Sequence, residues 1–123
     1  MPVTVLSLVL ALSAALEEGN AARFLGYIDK GTCREYAALE TNVVALVAQY
    51  DVGSSVGIMT ETRDGEAVDL KLDWLLRLRP SGGSPAVERR GELRARLEPR
   101  GKNKSWKVTV LEPASFFSAV VTR

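Results

Sequence analysis

A chain of 123 residues, 46% hydrophobic and 25% charged, has the size and composition of one globular domain that can bury a core without staples. Its 16 basic and 15 acidic residues leave a net charge of +1, so no global attraction draws it to nucleic acid or a membrane surface. It contains no histidine, which removes the commonest general base, the commonest metal ligand and the usual partner of a serine or cysteine nucleophile.

The chain opens on an apolar run. From Val3 to Leu16 only Thr4, Ser7 and Ser13 are polar, and nothing is charged. The run is too short to span a bilayer and reads as a buried first helix. A secretion-signal remnant is the alternative: small residues stand at Ser13-Ala14-Ala15, but nothing basic precedes the apolar core. Met1-Pro2 also fits a trimmed or engineered start. The expected location is cytoplasmic, with a secreted or periplasmic one belonging to the signal alternative. The single cysteine, Cys33, excludes an internal disulfide and favours a reducing compartment.

The first helix is expected from about Val3 to Glu18, stopped at Gly19. Asn20 then caps a short second helix with Phe24, Leu25 and Ile28 as its apolar stripe, ended by Gly31. Thr32-Cys33-Arg34-Glu35 has the form of a capping box, opening a third helix that runs to about Tyr50. Tyr36, Leu39, Val43, Leu46, Val47 and Tyr50 recur at the helical period along it.

The period then changes to two. A first strand is expected over Ser54 to Thr62, followed by a hairpin turn at Arg63-Asp64-Gly65-Glu66. From Val68 to Leu78 the even positions are all apolar, including Trp74, while Asp69, Lys71, Asp73 and Arg77 share the other face with Leu75. Trp74 should therefore point toward the helices and Asp73 away from them; a bulge between Asp73 and Leu76 would upset that register. After the loop Pro80 to Pro85, a strand from Ala86 to Glu98 alternates Val87, Gly91, Leu93, Ala95 and Leu97 with charged residues. Arg89 breaks the pattern by sharing the apolar register. The last strand, Lys104 to Glu112, is ended by Pro113, and Phe116 and Phe117 fold back as an apolar tail. Helices first and a strand meander last define an α+β domain spanning residues 1–123, with no repeat and no second domain.

The capped helices with Leu16-Glu17-Glu18-Gly19-Asn20, Phe24-Leu25 and Ile28-Asp29, the strand Leu72-Asp73-Trp74-Leu75-Leu76, and the terminal Trp106-Lys107-Val108 with Leu111-Glu112-Pro113 carry a resemblance. On these the chain resembles the nuclear-transport-factor-2-like (SnoaL-like, cystatin-like cone) superfamily over almost its whole length. The resemblance implies three N-terminal helices on a curved antiparallel sheet, with a cone between them that can hold a small, often apolar molecule. It implies little about chemistry, because the motifs are patterns of apolar residues and turns. Ketosteroid-isomerase-like members place acids or phenols in the cone, and scytalone-dehydratase-like members use histidines with tyrosine and aspartate. Neither set carries over: the inferred inward positions Leu70, Leu72, Trp74, Leu76, Leu93 and Ala95 are apolar, and histidine is absent.

The expected site is a mainly apolar cavity lined by Leu12, Phe24, Tyr27, Leu39, Val43, Trp74, Leu93 and Phe116, with the Tyr27 phenol orienting a ligand. No catalytic set, metal site or cofactor is indicated. Among the remaining polar groups, Glu112 reads as a strand-end carboxylate rather than a base, Tyr36 and Tyr50 as core-edge aromatics, and Arg89 as a rim residue reaching water rather than a ligand clamp. Cys33 lies near a helix N-terminus but has no base or resolving cysteine.

Eight basic residues between Glu88 and Lys107 face only three acids there, yet the strand arginines alternate with Glu88, Glu92 and Glu98 as in an ion-pair lattice. Without interleaved aromatics, a solvated face or subunit interface is expected rather than a nucleic-acid surface. Pairing of family members implies a homodimer through the outer sheet face, where Asp69, Lys71, Arg77, Arg90, Glu92 and Arg94 surround Leu75. The function expected is binding of a small apolar molecule. The alternatives are a homodimeric interaction module whose cone is filled by its own side chains, a lyase- or isomerase-like enzyme on a small apolar substrate, and a redesigned ligand-binding scaffold.

Overall fold

The computed structural model describes residues 5–120. Helices α1 (Val5–Glu17), α2 (Ala21–Gly26) and α3 (Tyr36–Gln49) precede strands β1 (Tyr50–Asp64), β2 (Ala67–Pro80), β3 (Val87–Arg100) and β4 (Ser105–Glu112), and a 3-10 turn covers Ala114–Phe117. The strands form one curved antiparallel sheet in the order β1-β2-β3-β4, and the fold is α+β as expected. The expectations for Met1 to Thr4 lie outside the described residues.

Each helix end has a local cause. Gly19 adopts φ +68, and the amides of Gly19 and Asn20 close back onto Leu16 and Ala15 carbonyls, so α1 stops where a left-handed residue is tolerated. Asn20 then accepts the Arg23 amide at 3.0 Å and caps α2. The start of α3 differs from expectation. Thr32 does not cap it: its hydroxyl donates to Asp29 Oδ2 at 2.5 Å, and α3 begins at Tyr36 with no side-chain cap from Glu35. The Glu35 carboxylate accepts the Ala114 amide at 2.7 Å instead, so it cannot reach back to complete a capping box. Thr32, and then Arg100, hold the Asp29 carboxyl below the usual carboxylate range.

α3 passes into β1 without a loop. Tyr50 is extended (φ −134, ψ 150) while its amide still bonds to Leu46, so the strand starts four residues before the expected Ser54. The hairpin at Gly65 is as expected: Asp64 pairs with Ala67, leaving a two-residue loop with Gly65 at φ +63.

On β2 the alternation holds throughout. Val68, Leu70, Leu72, Trp74, Leu76 and Leu78 are buried, and Asp73 lies on the other face paired with Arg90 at 2.6 Å. The ladder runs without a shift through Asp73 to Leu76. The irregularities lie elsewhere, at Ile58/Thr60 in β1, where Met59 is the extra residue, and at Arg96/Leu97 opposite β4. The β1 bulge reverses parity: Val52, Ser54, Val56 and Ile58 are on the helix side before it, whereas Thr60 and Thr62 face outward after it.

One core fills the space between helices and sheet. It joins Leu8, Leu12 and Leu16 of α1, Phe24 of α2, Leu39, Val43 and Leu46 of α3, the inward side chains of β2 and β3, and Phe117. The chain leaving α2 adds to the free edge of β4: Asp29 donates to the Val108 carbonyl at 2.8 Å, and Val108 donates to Tyr27 at 2.9 Å. No helix among the described residues is long and apolar enough to cross a membrane.

Candidate functional site

The cone is centred on Trp74. Its position on β2 places the indole between the sheet and the helices, with no exposed surface. The indole N–H donates to Ser54 Oγ at 2.8 Å, and Ser54 Oγ lies 2.6 Å from Ser13 Oγ on α1. This chain satisfies the buried indole and both hydroxyls, and it ties α1 to the first two strands. Ser54 was discoverable from parity alone, because it shares the inward register of Val52, Val56 and Ile58.

Phe116 and Phe117 of the 3-10 turn pack against this indole. The Phe117 ring meets Trp74 at 5.2 Å, Phe116 at 5.2 Å and Phe24 at 5.5 Å between centroids, each edge-on, the arrangement the aromatic quadrupole favours. Phe116 reaches Trp74 at 6.4 Å because Gly91, opposite Trp74 on β3, has no side chain. A Cβ at Gly91 would lie 2.9 Å from Phe116 Cδ1.

The segment from Pro113 to Val120 forms a strap, held by side chains from two elements and the junction between α3 and β1. Asn42 donates to the Ala114 carbonyl at 2.9 Å, Tyr50 to Ala119 at 3.2 Å, and Glu35 accepts the Ala114 amide. Arg89 donates to the carbonyls of Phe116 (2.6 Å), Ser118 (2.7 Å) and Val120 (3.1 Å). Arg89 therefore does not reach freely for water as expected; burial pulls its pKa below the ordinary guanidinium value.

Of the expected lining residues, Leu12, Phe24, Leu39, Val43, Trp74, Leu93 and Phe116 all lie buried in the one core cluster. Tyr27 is placed differently. It packs at the cluster's edge, and its hydroxyl accepts from Arg23 Nε at 3.3 Å, beside the exposed Arg23–Glu18 ion pair. The Arg23 contact holds the phenol at the edge of the cluster, and the polar groups beside Trp74 are serine hydroxyls. Cys33 is buried, and burial pushes its thiol up. Glu112 pairs with Arg34 at 3.2 Å, as a strand-end carboxylate should. No group of three or more metal-ligating side chains occurs among the described residues.

A groove of about 370 Å³ opens on the other side of the sheet, lined by Thr60, Thr62, Asp69, Leu70, Lys71, Glu92, Leu93, Arg94 and Glu112. Arg96 beside it pairs with Asp69, Asp64 and Glu98, a lattice of the expected kind built mainly with aspartates of the neighbouring strands. Asp69 Oδ2 takes Arg96, while its Oδ1 is buried without a partner. Lys71 stands directly opposite Arg94 in the ladder.

The geometry is that of a nuclear-transport-factor-2-like cone, a fold that it shares with similar solved structures. No family model and no curated protein matches the chain. A ketosteroid isomerase-like protein from Erwinia carotovora atroseptica SCRI1043 superposes with a TM-score of 0.67 at 8% identity, over 87% of this chain and 89% of that one. An NTF-2 like protein of unknown function from Shewanella oneidensis MR-1 gives 0.61 at 11% identity, over 87% and 93%. A Mycobacterium tuberculosis protein of unknown function gives 0.68 at 11% identity, over 87% of this chain and 66% of that one.

Proposed function

We propose that the chain binds a small, mainly apolar, planar molecule in the cone beside Trp74. The observation that carries this reading is the arrangement around the indole: apolar side chains from three helices and the sheet, the Phe116 and Phe117 rings that occupy the space against it, and the Ser13–Ser54 hydroxyl pair as a polar element close by. A site of that composition orients a ligand through one or two hydrogen bonds and holds it by apolar contact. The fold is one on which both binding and enzymatic proteins are built, and the catalytic reading has less support. Of the acids near the sheet end, Glu112 and Asp29 pair with arginines and Glu35 accepts a backbone amide, while Arg89, held on backbone carbonyls, is a poor proton carrier.

The test is titration with the neutral fluorescent probe N-phenyl-1-naphthylamine. Its emission should rise and shift to the blue while tryptophan emission is quenched, and Trp74→Phe should bind it more weakly while remaining folded. Failure of the native chain to bind any neutral aromatic probe would remove this reading.

A homodimer through the outer sheet face is the second proposal. Lys71 and Arg94 face each other as like charges and, with Glu92, take part in no ion pair among the described residues, whereas Arg90 and Arg96 beside them do. A two-fold related copy would bring Glu92 within reach of these cations. Light scattering at micromolar protein should then give twice the chain mass, falling toward one chain mass as salt is added. A single-chain mass at low salt would discard the dimer.

A further inference from the structure

Arg89 occupies the inward register of β3, opposite Leu76 and two residues from Gly91. Its side chain is half-buried, yet among the described residues its guanidinium meets no carboxylate, only the three strap carbonyls. Arg96, the other half-buried arginine of this strand, is matched by three acids. Neutral carbonyls supply its hydrogen bonds, and among the described residues no acid side chain compensates its charge. A carboxylate would accept two parallel N–H bonds from the same fork, shorter and stronger than bonds to neutral oxygen. Those carbonyls belong to the segment that carries Phe116 and Phe117, so the strap offers the cone phenyl rings and offers Arg89 oxygen atoms from one short piece of chain.

We propose that the cone takes an aromatic carboxylate, its ring replacing Phe116 over Gly91 beside Trp74 and its carboxylate replacing the Phe116 and Ser118 carbonyls on Arg89. The strap is then an internal stand-in for the ligand and moves aside when the ligand binds. This rests on the pocket reading above and adds the ligand's charge and the residue that reads it. The empty-handed alternative for Arg89, a purely structural tie for the strap, predicts no preference for an acid over its amide.

The probes are 2-naphthoate and its neutral isostere 2-naphthamide, titrated calorimetrically at about neutral pH into the native chain, Arg89→Met and Arg89→Lys. The native chain should prefer the carboxylate by about tenfold or more, the ratio a charge-assisted pair supports. Arg89→Met should bring that ratio to about one, mainly by losing naphthoate affinity, and Arg89→Lys should lie between, since a point charge replaces the fork. Saturating naphthoate should also speed hydrogen exchange at the Phe116 and Ser118 amides, which now donate to Pro113 and Ser115. That readout needs no substitution and decides the matter if Arg89→Met fails to fold. Equal binding of acid and amide to the native chain overturns the carboxylate inference and leaves the pocket standing. Binding of neither compound overturns both. An acid preference that survives in Arg89→Met, or strap amides that do not exchange faster, overturns it by locating the acid elsewhere.

Discussion

Replacing Trp74 with alanine should destabilise the fold by about 3–5 kcal/mol, the range for removing a large aromatic from a packed core. The side chain has no exposed surface, and its loss removes one of the three edge-on partners of Phe117. It also removes the indole donor to Ser54, although the Ser54 and Ser13 hydroxyls still satisfy one another. Trp74→Phe keeps a ring in place and should cost less, about 1–3 kcal/mol, for lost volume and one lost hydrogen bond. Urea unfolding followed by far-ultraviolet circular dichroism separates the two, since it does not depend on the tryptophan being removed. A loss below about 1 kcal/mol for the alanine variant would mean that the core closes around the hole, and that Trp74 is not its centre.

Phe117→Ala should cost a similar amount, about 3–5 kcal/mol, but with a different consequence. Phe117 is fully buried and touches Trp74, Phe116 and Phe24, each contributed by a different stretch of chain. Its removal leaves an apolar hole bounded by rigid rings on three sides, which water does not fill favourably. Benzene should therefore raise the melting temperature of Phe117→Ala by more than it raises that of the native chain. At a hundredfold excess over its dissociation constant the recovery would be about 2.7 kcal/mol. Scanning calorimetry with and without benzene checks this. A variant that loses its stability but gains none back has collapsed rather than opened.

The parts of this structure legible in the sequence are those with a strong period. On β2, six apolar residues at even positions settle both the strand and its inward face, and Leu75 on the outer face disturbs nothing because the ladder continues through it. Gly19 and Asn20 announce a helix stop and start that the backbone obeys. What was not legible depends on residues far apart in the chain. Thr32 and Glu35 have capping-box spacing, but Asp29 and Ala114 compete for their side chains and win. The early start of β1 carries no turn signal because no turn exists there. The bulge at Met59 follows Ile58 directly, two large apolar residues in a row that a strand can also place on opposite faces.

The site divides in the same way. Seven of the eight expected lining residues share the core, since burial follows from apolar periodicity. Tyr27 differs because it lies just past the end of a short helix, where the direction of its side chain is decided by its neighbours, here Arg23. Arg89 was visible as an exception in its strand, but its partners lie 27 to 31 residues further on and are backbone carbonyls that no composition reveals. The fold supplies the reason for that exception.

The short attachment of the α2 exit to β4 has a consequence for how copies of the chain can meet. A sheet normally ends in two rows of open backbone groups, and each can template another strand and seed fibres. Here the β4 end is sealed over its middle by the chain's own Tyr27–Asp29 segment. The opposite end, β1, is interrupted by an extra residue at Met59 and finishes in Glu61, Arg63 and Asp64, whose charges would have to be desolvated to seat a flat neighbour. Lateral growth of the sheet from molecule to molecule is thus obstructed at both ends by different means. The amyloid-like route is the one this topology resists, which leaves contact through the broad surfaces as the open way for two copies to join.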